Sequence, residues 1–483
     1  MMDVKFPVDE LILIAPEIIL CGFGLLLLLI EVFLKTKSKS FLGILTLVSA
    51  GSALVFVLKL SSFSTDLFFG LYSLDSLGSL TKGLILVMLI LVVIMSLRYV
   101  EREEVISGEY YPLLLFSTLG MMIMVSSKNL LTIFVGLELM SLSIYILVGL
   151  FRDNLKAAEA SLKYFLLGAF ASAFLVYGIA LLYGSTGSLD IKGYLEVIAK
   201  GDTSTVLIIG VALIAVGFAF KIALVPFHMW TPDVYEGAPT SITAFMAAGV
   251  KSAAFVTFLR VFYTAFLPLI KQWGDILWLL AVITMSYANL TALVQQNIKR
   301  MLAYSSIAHA GYILVAFVTG EKILSSSIIY YLVAYTFMNV GAFSCVILMG
   351  RKGEENLDID SYAGLSARHP FVAFCLTIFL LSLTGVPPLA GFMAKFYVFS
   401  TAIKAGYVWL AIIGVLNSVV AAYYYLRVIM YMYFRDPVKE IGRIDLSPSY
   451  ILVSLICIFF LIYTGILPRE LMLLAEGAVS VFF

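Results

Sequence analysis

Lys163, Lys221, Lys251, Arg260 and Lys395 stand inside long apolar stretches of the sequence, where no loop can carry their charge into water. A charged side chain at the centre of a membrane helix costs roughly 2.5–3.5 kcal/mol on insertion scales, so each needs a partner, water or a route to the interface. Arg260 lies nine residues beyond Lys251, toward the outer end of its stretch, and is expected to snorkel there. One acid stands out among them: Glu138, mid-run in Leu131-Thr-Ile-Phe-Val-Gly-Leu-Glu138-Leu-Met-Ser-Leu-Ser. Glu17 and Glu31 lie nearer the ends of the first apolar run and are expected at the interface. A lysine that gains and loses a carboxylate partner changes its proton affinity, which is relay chemistry. A permanent pair would only fix the orientation of two helices.

Two of the lysines adjoin helix breakers. Lys221-Ile-Ala-Leu-Val-Pro226-Phe-His228-Met-Trp230-Thr-Pro232-Asp233 places a proline five residues after a lysine, so the helix is expected to break or kink at Pro226. Leu381-Ser-Leu-Thr-Gly385-Val-Pro387-Pro388-Leu-Ala-Gly391-Phe-Met-Ala-Lys395 sets two prolines and two glycines ahead of another lysine. Irregular backbone within a membrane is tolerated only where protein buries it or water lines it, so both breaks are candidate stretches of an ion path. The rival reading is a snorkelling lysine beside a proline-rich loop. His228 follows Pro226 and His309 lies about two turns into a later helix, where an imidazole suits proton transfer. Packing and loop organisation are the plainer roles for both.

The elements that must position these groups are membrane helices. The chain is 62% hydrophobic and 13% charged, with a mean hydropathy of +1.05 and a net charge of +1, which excludes a soluble globular domain. Nor does any charge run point to nucleic acid. Runs long enough to cross a bilayer fall at about 11–34, 40–60, 77–98, 110–127, 129–150, 157–184, 204–227, 239–267, 274–295, 301–319, 323–350, 370–401, 405–434 and 448–468, fourteen spans in all. The first lacks a small-residue cleavage pattern and reads as a spanning helix. Connections after odd-numbered spans are the richer in Lys and Arg, with Lys35, Lys37, Lys39, Arg152, Lys299, Arg300, Arg351, Lys352, Lys439 and Arg443 among them. Lys5, Lys59, Lys82, Lys128 and Lys192 fall on the other side, so both termini are expected to face outward. The broken spans are numbers seven and twelve; five apart, they run in opposite directions, as an inverted five-helix repeat requires. The implied division is 1–109, 110–267 and 268–434 for three N-terminal helices and two repeats, with 435–483 as the last helix and tail. Cys21, Cys345, Cys375 and Cys457 are scattered through apolar runs with no metal or cluster spacing and read as buried small residues.

The stretch from Lys221 to Thr240, ending P-D-V-Y-E-G-A-P-T, resembles the antiporter-like membrane subunits of proton-pumping NADH:quinone oxidoreductase, respiratory complex I. Asn297-Ile-Lys-Arg-Met-Leu-Ala-Tyr-Ser-Ser-Ile-Ala-His-Ala-Gly-Tyr312 and Gly385 to Lys395 are similar to the same subunits, and the resemblance extends over essentially the whole chain. Lys395 favours the N type over the M type, which carries glutamate on its twelfth helix, and the short tail argues against the L type. The resemblance implies Glu138 as carboxylate partner of Lys221, with Lys221 binding the proton on broken helix seven. It implies Lys251 as the connecting lysine, Lys395 as the exit-side lysine, Lys163 as a further charged position, and His228 and His309 as relay groups. It implies no cofactor in this chain: NADH, FMN, iron–sulfur clusters and quinone belong to partner subunits, membrane and peripheral, of a complex in a bacterial inner membrane. One rival is a cation/proton antiporter subunit; another is a membrane scaffold whose charges are static pairs.

Overall fold

Long apolar segments leave the backbone one economical solution in lipid, since every N–H and C=O must be satisfied within the segment. The computed structural model describes residues 8–33, 39–103, 108–201, 203–350, 356–437 and 446–482. Lys5, Lys35, Lys37, Arg351, Lys352, Lys439 and Arg443, used above for orientation, lie outside the described residues. The architecture is all-α and polytopic, as expected, with nine helices long and apolar enough to cross a membrane among the described residues and three shorter apolar ones.

The helices are α1 (Ala15–Phe33), α2 (Ser40–Leu60), α3 (Ser76–Arg102), α4 (Tyr110–Ser126), α5 (Leu130–Val148), α6 (Leu155–Thr186) and α7 (Thr205–Lys221). Beyond the first break come α8 (Trp230–Gly237), α9 (Thr240–Phe245), α10 (Lys251–Val261), α11 (Ile270–Leu293), α12 (Ile298–Phe317) and α13 (Ser326–Met349). The second broken span is α14 (Pro370–Thr384) with α15 (Ala390–Lys404), followed by α16 (Val408–Phe434), α17 (Pro448–Ile466) and α18 (Pro468–Val479). Polar caps start many of them: Asn129, Asn154, Ser204 and Asn297 each accept a backbone N–H from the first turn of α5, α6, α7 and α12. Two π turns, Met246–Val250 and Phe262–Phe266, flank α10.

α13 is the axis of the second half. It is buried along its apolar length and packs against α9, α14, α15 and α17. On the other side α6 packs against α7, and α4 against α5. Two features depart from the sequence reading. A two-stranded antiparallel hairpin, β1 (Thr65–Leu67) with β2 (Tyr72–Leu74), joins α2 to α3, with Thr65 opposite Leu74. The tail forms α18, which folds back against α3 and α13. Of the cysteines, Cys345, Cys375 and Cys457 are buried, whereas Cys21 is only half-buried.

Candidate functional site

At the first break the helix ends at Lys221 itself, not at Pro226. Leu224 N–H reaches back to the Ala219 carbonyl (2.9 Å) and Ala223 takes a left-handed conformation at φ 61°, strained for a residue with a Cβ. The freed backbone is satisfied from elsewhere: Thr284 on α11 accepts from Val225 N–H (3.0 Å), and the Trp230 indole donates to the Phe220 carbonyl (3.1 Å). Trp230 also stacks on Tyr164, whose ring meets Tyr145 edge-on. The break is thus closed by the tryptophan of the motif that follows it.

Lys221 is buried, and its ammonium donates to the Ser141 hydroxyl (2.8 Å) and more loosely to Tyr145 (3.4 Å), both on α5. Glu138 shares the face of α5 with Ser141 and Tyr145 at helical spacings of three and seven. Its carboxylate, however, accepts from Ser172 on α6, and no ion pair joins it to Lys221 among the described residues. The expected direct Glu138–Lys221 contact is therefore replaced by two separate hydroxyl contacts. Glu138 is half-buried, beside the exposed apolar side chains Leu131, Val135 and Leu142. Gly168 makes the geometry possible, because a Cβ there would stand 1.9 Å from the Tyr145 hydroxyl.

Lys251, buried on α10, donates to the Ser306 carbonyl of α12 (2.6 Å) and to the Ser306 hydroxyl. Three residues along α12, His309 lies between two phenols, with Nδ1 2.7 Å from the Tyr331 oxygen and Nε2 3.2 Å from Tyr425. Tyr425 is hydrogen-bonded in turn to Ser305. Lys395, in the second turn of α15, reaches back across the second break to donate to the Thr384 carbonyl (2.8 Å), the last residue of α14, and lies over the Tyr312 ring (4.8 Å). The Tyr312 hydroxyl accepts from Asn289 (2.9 Å), which accepts from Tyr424 (3.0 Å). Gly385 holds φ 93°, and Pro387 and Pro388 complete the break. Gly391 lets α15 start against α14, since a Cβ there would lie 1.8 Å from the Ser382 carbonyl.

Lys163 and His228 do not join this interior set. Lys163 is half-buried and pairs with Asp233 on α8, in a cluster with Arg300, Glu236 and Lys156. Burial opposes the charge on Asp233, but hydrogen bonds from Lys163 and Arg300 outweigh it and hold the carboxyl below the usual range. His228 is buried with its ring edge against Tyr287, and its Nδ1 has no hydrogen-bond partner among the described residues.

Two further buried cations are paired with acids, both against expectation. Arg260 does not snorkel: it is 2% exposed and holds both oxygens of Asp75 at 2.7 and 2.8 Å. Lys82, read as a loop residue, lies inside α3 and binds Glu17 (2.9 Å), with Tyr72 bridging the two at 2.5 Å to each. Glu17 is accordingly buried within the protein. Both acids are far from their partners in sequence, so no spacing could signal the pairs. Sequence reading also missed Ser141, Tyr145, Ser172, Ser306, Tyr331 and Tyr425; only the helical offsets from Glu138 and His309 could have hinted at them.

Residues 127–421 match the family model described as NADH:quinone oxidoreductase/Mrp antiporter, TM. A chain from Trichlorobacter lovleyi named NADH-quinone oxidoreductase subunit N is 48% identical over 482 residues, covering 98% of this chain and 98% of its own. The chain belongs to the NADH-quinone oxidoreductase subunit N family. Among solved structures, a chain of respiratory complex I from Thermus thermophilus with bound aureothin is 34% identical to this subunit N family member. It superposes with a TM-score of 0.82 over 96% of this chain and 100% of its own. A chain of the Mrp complex from Dietzia matches with a TM-score of 0.84 over 98% of this chain and 97% of its own, but at 19% identity it shares the fold alone. Subunit N membership thus favours the complex I reading over the antiporter alternative.

Proposed function

We propose that this chain is a proton-translocating membrane subunit of NADH:quinone oxidoreductase, with Lys221, Lys251 and Lys395 as its proton-carrying groups. One contrast carries the assignment of residues. Lys82, Lys163 and Arg260 each meet a carboxylate, whereas the buried Lys221, Lys251 and Lys395 hydrogen-bond only to hydroxyls and carbonyls among the described residues. A cation paired with an acid inside a protein is a static fixture, costly to break. An ammonium ligated only by neutral oxygens can release its proton without leaving a bare carboxylate behind, and the same oxygens accept hydrogen bonds from water.

In this reading Glu138 acts on Lys221 through hydration and the Ser141–Ser172 hydroxyls, His309 with Tyr331 and Tyr425 links the Lys251 region toward Lys395, and the breaks at Pro226 and at Gly385, Pro387, Pro388 and Gly391 admit water. Lys163 and His228 serve the inner mouth of the path. The chain supplies no redox chemistry: NADH, FMN, iron–sulfur clusters and quinone are held by partner subunits, in a bacterial inner membrane with both termini outside.

The test is Lys221→Ala in the assembled enzyme in sealed membrane vesicles. Proton pumping coupled to NADH oxidation should fall by about ten-fold or more, within the range of general acid–base contributions, at unchanged complex content. Normal pumping in that variant would sink the assignment. The purified chain alone should neither oxidise NADH nor carry flavin; a stoichiometric redox cofactor on it would overturn the subunit reading.

A further inference from the structure

α10 carries Lys251 as its first residue and Arg260 near its end, and π turns bound it on both sides. A π turn holds an extra residue, so helix on either side of it is out of the rotational register that a continuous α-helix would impose. The eleven residues of α10 therefore need an anchor of their own if Lys251 is to face a fixed point on α12. Nine residues at 3.6 per turn put Arg260 on the opposite side of the helix from Lys251 and about 14 Å along its axis.

That opposite side is pinned. The Arg260 guanidinium donates to both Asp75 oxygens and, through Nε, to the Val125 carbonyl of α4 (3.0 Å). Asp75 is itself locked as the N-cap of α3, accepting from Gly78 N–H (2.8 Å) and from the Ser73 hydroxyl (3.1 Å). Each side chain of the pair is 3% exposed, and a bidentate guanidinium–carboxylate contact fixes rotation as well as distance.

We propose that the Asp75–Arg260 pair is a positioning device for Lys251: it clamps α10 to α3 and α4 between the two π turns and thereby sets where the Lys251 ammonium meets Ser306. Neither residue touches the proton path, so Asp75 and Arg260 are positioning residues and act through Lys251. The inference rests on the relay reading of Lys251. The rival is a lock that merely holds the N-terminal helices in place.

The test uses the assembled enzyme in sealed vesicles, with complex content measured alongside pumping per NADH oxidised. Arg260→Lys keeps the charge but not the bidentate fork, and Asp75→Asn keeps the cap but not the charge. Each should lower pumping about ten-fold, since an ångström-scale displacement of a reacting group costs one to two orders of magnitude, with complex content unchanged. Lys251→Arg is combined with each because a retained charge leaves measurable pumping. If the pair acts through Lys251, the double variants lose less than the product of the single losses. Multiplying losses, loss of assembly in both Asp75→Asn and Arg260→Lys, or normal pumping in both while Lys251→Ala is defective, would each overturn the proposal. Normal pumping in Lys251→Ala would instead bring down the relay reading, and this inference with it.

Discussion

The two broken spans hold their lysines by different means. Lys221 ends its half-helix and is tied to side chains of another span, Ser141 and Tyr145 on α5. Lys395 sits on the second half of its span and is tied to the backbone of the first, at Thr384. A hydroxyl on a neighbouring helix can rotate or be exchanged for water, whereas a carbonyl at a helix C-terminus is fixed and carries the negative end of the helix dipole. The first break therefore couples a lysine to the position of α5, where Glu138 also resides. The second couples a lysine to the integrity of its own break.

The largest effect that would test this difference is at Lys395. Lys395→Met should lower proton pumping by about ten-fold or more, while Lys395→Arg, which retains the charge that meets the Thr384 carbonyl and the Tyr312 ring, should keep more of it. Equal activity in the two variants, measured in vesicles with matched complex content, would make Lys395 a packing residue.

Next come the glycines that permit each geometry. Gly391→Ala would drive a Cβ into the Ser382 carbonyl, which is backbone and cannot yield, so the second break should lose about 1–3 kcal/mol or more through overpacking. Gly168→Ala meets only the tip of a side chain, Tyr145, which can turn away. Gly391→Ala should accordingly reduce assembled complex on native gels, and Gly168→Ala should assemble with weaker pumping. Equal assembly defects would erase the distinction.

Smaller again is the hydroxyl comparison. Ser141→Ala removes an acceptor of Lys221 and should reduce pumping a few-fold, corresponding to about 1 kcal/mol for one hydrogen bond, with Tyr145→Phe weaker because its contact is longer. Thr384→Val leaves the carbonyl that Lys395 uses and should be silent. A strong Thr384→Val defect beside a silent Ser141→Ala would invert the assignment of the two tethers.

The smallest effect lies outside the spans, beside the first break. The Asp233 and Glu236 carboxyls are held below their ordinary values of 3.8 and 4.5 by Lys163, Arg300 and Lys156, against the opposing effect of burial. Their contribution is complete above those ordinary values and is lost as pH falls through the lower native ones. Backbone amides of α8 should then exchange hydrogen faster below about pH 4, after correction for intrinsic rates, with those of α15 unchanged. Unaltered exchange in α8 would mean that the pairs contribute nothing to its order.

Much of the molecule is legible in the residues themselves. Apolar runs of bilayer length dictate helices because lipid offers the backbone no other partner, and Pro226, Pro387 and Pro388 must interrupt a helix wherever the chain goes. The places of Lys221, Lys251, Lys395 and Glu138 within those runs follow by counting. Which cations are relay groups and which are fixtures does not follow, because that depends on acids and hydroxyls brought in from distant parts of the chain. Arg260 reads as a snorkelling residue until Asp75, 185 positions away, closes on it, and Lys82 reads as a loop charge until Glu17 does. Glu138 and Lys221 read as a pair until packing of α6 against α5 supplies Ser172 to the acid and leaves Ser141 to the lysine. The hydrophobic pattern that makes each helix is local, while a buried charge takes whichever partner the packing of helices brings within about 3 Å. That choice was made by the tertiary structure.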